Sequence, residues 1–362
     1  MTRVRRMPEE VGIVAVLVLV AVVLSLFSPN FATLSNLQIL LLNGAVIAFL
    51  ALGQTFVLLT GGIDLSTGSN VAMTGVIAAV VMQTGLAWPL AALVAIAAGS
   101  TLGVINGVLV HYVRLPAFIV TFSTFGVAAS IPQIITGASS ITVTDRGFEV
   151  VGRGEVLLLP MPVVLVFVAA ILLTVVLRLT ATGVHIYAVG GNQEASRLAG
   201  VNIARTTVLV YAISGFCASI GGLIITSRLM VGYPSAGSGN ELFFSIAAAV
   251  VGGVSLFGGI GSIPGALLGA ILIATVSNGM NVIGVDSYWQ PLVIGLIILG
   301  GVTLDTYRRR LSLSEAFARL GRAAPDHAGA QSPAPPQTSG DGAAPAAAGA
   351  PSDPTMRKEV NG

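Results

Sequence analysis

Ten stretches of this chain run apolar for close to the ~20 residues that a helix needs to cross the hydrocarbon layer of a bilayer, with polar connections between them. They occupy residues 11–27, 37–60, 65–84, 88–110, 116–135, 158–179, 206–227, 242–257, 262–279 and 288–305. No other feature restricts the fold so tightly. In lipid every backbone polar group must find a partner inside the protein, which leaves helices or closed barrels. Runs of this length without alternation are helical. Hydrophobic residues make up 54% of the chain and charged residues 9%, so a soluble domain is excluded. The expected fold is an all-α polytopic membrane protein with about ten transmembrane helices, one of them broken near Gly61-Gly62-Ile63-Asp64-Leu65-Ser66.

Basic residues mark the sides. Arg3, Arg5 and Arg6 precede the first run, which lacks a small-residue cleavage pattern and reads as an anchor rather than a signal peptide. Arg178, Arg197 and Arg205 flank the polar island 190–203, and Arg308-Arg309-Arg310 follows the last run. Ten crossings with both termini cytoplasmic put all of these on one side. The exception is Arg228, which falls on the outer side and reads as a snorkelling side chain. Three parts follow: a cytoplasmic N-terminus 1–10, a transmembrane domain 11–310, and an Ala/Pro-rich tail 321–362 expected to be disordered in the cytoplasm.

Several chemistries are excluded. The single cysteine, Cys217, permits neither a disulfide framework nor a Cys-based metal site. The one lysine, Lys358, stands in no glycine loop, so a Walker A motif is absent. Three scattered histidines and no HExxH leave a metal hydrolase without ligands. No catalytic residue, metal or bound cofactor is expected, and no nucleic acid among the partners.

The island reads as a short helix of its own. Asn192 is a good N-cap, Glu194 sits in the first turn where negative charge suits the helix dipole, and Gly200 closes the helix in a left-handed conformation. Ala195, Leu198 and Ala199 make a small apolar stripe, with Glu194 and Arg197 offset from it. Such a helix is either a plain loop element or a knob offered to a partner. Glycines recurring every four residues, Gly99, Gly103, Gly107 and Gly261, Gly265, Gly269, read as close-packing faces. Asp64 has two readings, because a carboxylate at mid-bilayer costs about 3 kcal/mol. Either it lies by a translocation path, or it caps the helix starting near Leu65 by bonding the amides of Ser66 and Thr67 at a cytoplasmic turn. The cap is the more ordinary role.

Three stretches in order, LLTGGIDLSTGSNVAMTGVIAAV, AVGGNQEASRLAGVNI and FFSIAAAVVGGVSLFGGIGSIPGALLGAILI, resemble the permease subunit of bacterial ABC importers for ribose, xylose, arabinose and related sugars, within a broader branched-chain amino acid permease-like family. The resemblance runs from about Arg6 to Arg310. It implies a subunit of the bacterial inner membrane that binds no cofactor itself, ATP and Mg being used by a partner ATPase. The other implied partners are a periplasmic sugar-binding protein, a second permease copy and the lipid bilayer. The coupling loop, 180–205, then presents Gly190, Gly191, Asn192, Glu194, Ala195, Arg197, Leu198 and Gly200 to the ATPase. A neutral polyol needs hydrogen-bond partners along its path, and the candidates are Asn43, Gln54, Asp64, Asn70, Ser123 and Asn278. The same groups serve equally as helix-to-helix links. Two rival readings remain, a permease for another small solute such as a branched-chain amino acid, and a stand-alone secondary transporter.

Overall fold

Each apolar run forms a helix, but the helices are not equal. The computed structural model describes residues 9–303 apart from 158, 238 and 239, together with 306 and 307. Arg3, Arg5, Arg6, the Arg308–Arg310 cluster and the tail 321–362 lie outside the described residues. The helices are α1 (Glu9–Phe27), α2 (Leu34–Leu59), α3 (Thr67–Gln83), α4 (Trp88–His111), α5 (Ala117–Thr136), α6 (Glu149–Arg153), α7 (Met161–Leu179), α8 (Ala181–Gly191), α9 (Gln193–Leu198), α10 (Ile203–Leu229), α11 (Glu241–Val251), α12 (Ile263–Val282) and α13 (Ser287–Thr303).

Among the described residues seven helices are long and apolar enough to cross a membrane: α1, α2, α4, α5, α7, α10 and α12. Runs three, eight and ten give the shorter α3, α11 and α13. The run expected over 242–257 departs most. Its helix stops at Val251, and at ~16 Å it covers about half the hydrocarbon thickness. Gly252 caps it and Gly253 follows at φ 87°, a conformation that turns the chain away although the residues beyond remain apolar.

α10 is the axis. A side chain at Gly103 of α4 would overlap the Tyr211 carbonyl, one at Gly99 the Ser219 hydroxyl, and one at Gly107 would fall 2.6 Å from the Val208 Cα, so α4 runs antiparallel against α10 at backbone contact. Gly53 of α2 meets Ser214 and Cys217, and Gly222 meets Val71 and Thr74 of α3. Thus α2 runs against α10 and α3 runs with it. In the second ladder, Gly265 and Gly269 press on the Gly252 and Ala248 carbonyls and fasten α12 to α11. Gly261 does not belong to that helix face, since α12 starts at Ile263 and Gly261 lies in the preceding loop at φ 148°.

The expected break near Gly61 to Ser66 is a different feature. α2 ends at Leu59, and residues 60–66 turn back along it in non-helical conformation before α3 starts at Thr67. Two separate helices of opposite direction flank this segment, rather than one interrupted helix. At the other end of the bundle, β1 (Ile141–Thr142) pairs antiparallel with β4 (Val231–Gly232). A second two-residue pair, β2 (Glu155–Val156) with β3 (Leu159–Pro160), lies in the same connection.

Replacing Gly103 with valine should lower the thermal midpoint of the detergent-purified protein by the equivalent of about 1–3 kcal/mol, the usual cost of overpacking. Gly126→Ala is the control, because a methyl group there meets nothing within 4 Å.

Candidate functional site

The island folds as its caps dictate. Asn192 Oδ1 accepts from the Ala195 amide at 2.9 Å, which starts α9. The Val201 amide donates to the Ser196 carbonyl at 3.0 Å and the Gly200 amide to the Arg197 carbonyl at 3.1 Å, with Gly200 at φ 82°, which ends it. Within α9 only Ser196 is buried, and Leu198 is 81% exposed. The stripe of Ala195, Leu198 and Ala199 therefore faces outward. Arg197 reaches back to Glu194 Oε2 at 3.1 Å, an exposed pair of little energetic weight.

This helix stands on a joint made almost entirely of backbone. Gly190, near the end of α8, touches the Leu59 carbonyl so closely that a methyl group would overlap it. The Gly259 amide donates to that same carbonyl at 2.9 Å. A methyl group on Gly258 would fall 2.9 Å from both the Gly190 carbonyl oxygen and the Gly61 nitrogen. Three glycine pairs, 61–62, 190–191 and 258–259, so converge from the ends of α2, α8 and the loop after α11. Tyr187 braces them by donating to the Gly261 carbonyl at 2.8 Å, and burial pushes its phenol above the usual range against the pull of Arg178.

Beyond the joint, the segment carrying Asp64 runs into the bundle. Asp64 is 1% exposed. Its Oδ1 accepts from the Ser66 amide at 3.0 Å and the Ser66 hydroxyl at 2.6 Å, and its Oδ2 from the Ser214 hydroxyl at 2.7 Å. Ser214 lies about three turns, ~16 Å, beyond the start of α10. Asp64 is therefore deep in the bundle rather than at a surface turn. It caps in part, holding the Ser66 amide just ahead of α3, while the Ser214 bond ties it to α10. Neighbouring helices satisfy the rest of the segment. The Gln54 amide, oriented so that both its ends find partners, bonds the Asp64 backbone N–H and C=O at 3.3 and 3.1 Å. Thr121 and Tyr211 donate to the Ile63 carbonyl, and Asn106 donates to the Ser66 hydroxyl at 2.9 Å.

The six path candidates thus separate. Gln54, Asp64 and Asn70 are brought together, with Asn70 donating to the Gly99 and Gly215 carbonyls at 3.2 and 3.3 Å. Asn278 exchanges two amide hydrogen bonds with Asn36, linking α12 to α2. Asn43 is exposed and accepts from Arg228 at 3.1 Å. Ser123 is exposed and bonds its own helix at Ile119. Four buried oxygens have no partner among the described residues: Thr67 Oγ1, Asn70 Oδ1, Asn106 Oδ1 and Glu241 Oε2. Sequence reasoning overlooked Ser214 and Tyr211, and it marked Gly258-Gly259 as part of a Gly-dense hinge without linking it to the island. The repeated Gly-Gly pairs were a visible signal, whereas nothing distinguishes Ser214 from other small residues in an apolar run.

Residues 36–302 match the family described as branched-chain amino acid transport system / permease component. The chain belongs to this permease family. Similar proteins include the ribose import permease protein of Haemophilus influenzae, 39% identical over 83% of this chain and 93% of its own. The L-arabinose transport system permease protein of Escherichia coli is 34% identical over 84% and 93%, and the D-allose transport system permease protein of the same organism 33% over 82% and 91%. No solved structure matches the chain. The permease is a multi-pass membrane protein and a transport component rather than an enzyme.

Ser214→Ala strands a buried carboxylate oxygen of Asp64 and should cost about 1–3 kcal/mol in a thermal denaturation series. Ser123→Ala, on an exposed face, should be nearly neutral. The reverse order of the two variants would remove Asp64 from the network that holds the bundle.

Proposed function

We propose that the chain is the membrane-spanning subunit of an ATP-binding-cassette importer that carries a pentose- or hexose-type monosaccharide across the bacterial inner membrane. In this reading α3, α13 and α11 continued by the loop that follows it complete ten crossings with the seven long helices, and both termini are in the cytoplasm. The sugar assignment draws on the relatives named for ribose, allose and arabinose. A separate ATPase subunit binds ATP and Mg, a periplasmic sugar-binding protein delivers the cargo, and a second permease copy completes the path.

The observation that carries the coupling is the placement of α9, exposed on nearly every residue yet mounted on a joint that reaches the ends of α2 and of the loop after α11. A push on α9 moves Gly190 against Leu59, and residues 60–66 lead directly from there to Asp64. Alternating access follows if this motion shifts α2 and α11 against the α4–α10 pair. Asp64 then acts as a tether of the moving segment rather than an ion-coupling group, because both its oxygens already accept hydrogen bonds. Among the path candidates Asn70 retains an unpartnered acceptor, and with Asn106 and Thr67 it offers hydrogen-bond sites to sugar hydroxyls once the bundle opens.

The test uses the complete importer reconstituted in proteoliposomes with its ATPase and binding protein. Glu194→Ala removes the partner of Arg197. Gly200→Pro imposes φ near −65° where 82° is required. Both variants should insert normally and retain ATP hydrolysis but lose sugar uptake roughly 10-fold or more, the scale of a typical coupling free energy. Wild-type uptake per ATP in both would refute the lever.

A further inference from the structure

Arg228 is the basic residue that the orientation rule leaves unexplained, and its surroundings explain it. It lies in the last turn of α10, at the end of the bundle opposite the α9 lever. Beside it α6 is clamped on by hydrogen bonds: the Gly152 amide donates to the Ser227 hydroxyl at 2.8 Å, and that hydroxyl donates to the Phe148 carbonyl at 2.6 Å. Arg153 Nε donates to the Arg228 carbonyl at 2.8 Å. Two arginines are thereby held side by side, and no carboxylate of a described residue forms an ion pair with either. They line a cleft of about 210 Å³ with Gln38, Leu42, Glu155 and Pro160. With Glu155 counted, the cleft keeps one net positive charge.

A separate apolar groove lies further along α2, which the cleft also uses, and begins one turn into α7 from Pro160. Leu41, Ala45 and Ala48 of α2 form one wall, Val163 and Phe167 of α7 another, and Ala274 of α12 the floor. On α2, Gln38, Leu41, Ala45 and Ala48 recur at three- and four-residue steps, so the cleft and the groove share one helix face. From Gln38 to Ala48 that face extends ~15 Å, about one leaflet of the hydrocarbon layer.

A cleft with two arginines and a small apolar groove of about 50 Å³, both on the Gln38–Ala48 stretch of α2, place an anion site next to a hydrocarbon-facing slot, the order of groups along a lipid. We propose that this is a binding site for an anionic phospholipid of the surrounding bilayer. Its phosphate lies between Arg153 and Arg228, hydroxyls of its headgroup donate to Glu155, and the upper part of one acyl chain lies against the groove between α2, α7 and α12. The lipid would brace α2 against α7 at the end remote from the lever. The site does not depend on which solute is carried.

The probes are dioleoyl phosphatidylglycerol, dioleoyl phosphatidylcholine with the same chains and a neutral headgroup, and glycerol 3-phosphate, which has no chains. Native mass spectrometry of the delipidated full chain in detergent should retain one phosphatidylglycerol, favoured over phosphatidylcholine by roughly 10- to 30-fold, the worth of two interfacial arginines. Arg153 is exposed, so Arg153→Gln should fold normally and reduce that preference roughly fivefold, while Arg153→Lys keeps most of it. Leu41→Trp, which fills the groove, should expel the lipid even with both arginines present. Equal retention of the two lipids overturns the proposal, as does an unchanged preference in Arg153→Gln. Displacement by equimolar glycerol 3-phosphate would make the cleft a soluble-anion site. A chain that takes no lipid because a second copy covers the groove also overturns it.

Discussion

Non-helical backbone inside a bilayer persists only where protein supplies the hydrogen bonds that water cannot. Residues 60–66 meet that condition through side chains from α2, α4, α5 and α10. Gln54 pairs with the Asp64 backbone as a neighbouring strand would, Thr121 and Tyr211 hold the Ile63 carbonyl, and Ser214 holds the carboxylate. The arrangement of the helices around α10 follows from this need. If α4 or α10 drew back, several polar groups would lose partners together, each at a cost of about 1–3 kcal/mol.

Glycine makes that crowding feasible. Lipid tails are as apolar as leucine, so nothing drives helices together beyond close packing and hydrogen bonds. α4 and α10 touch through Gly99, Gly103 and Gly215, near enough for Asn70 to reach carbonyls on both helices at once. α11 and α12 touch through Gly252, Gly265 and Gly269. The half-length α11 is held in this way, since with 11 residues it cannot be anchored by two interfaces.

Much of this was legible from the residues, and the parts that were not share a cause. Helix positions followed from apolar length, and the island's caps from Asn192 and Gly200, because both signals are local. The early stop of α11 was hidden because VSLF continues the hydropathy past Gly252-Gly253. The depth of Asp64 depends on Ser214, 150 residues away, and no local pattern announces such a partner. Helices apolar on every side give no sign of which face is inward. Asn43 and Ser123 therefore looked equivalent to Asn70, although the fold turns the first two outward and buries the third.

The glycine joint has a consequence for how such a permease can diversify. Apart from the Tyr187 brace and the Tyr211 and Val57 side chains beside Gly62, its contacts are carbonyls, amides and α-carbons. At Gly190 or Gly258 even alanine collides with another segment's main chain, and no neighbouring substitution can make room for it. The polar interior can therefore be altered in ways this joint cannot, since these two positions admit only the smallest residue.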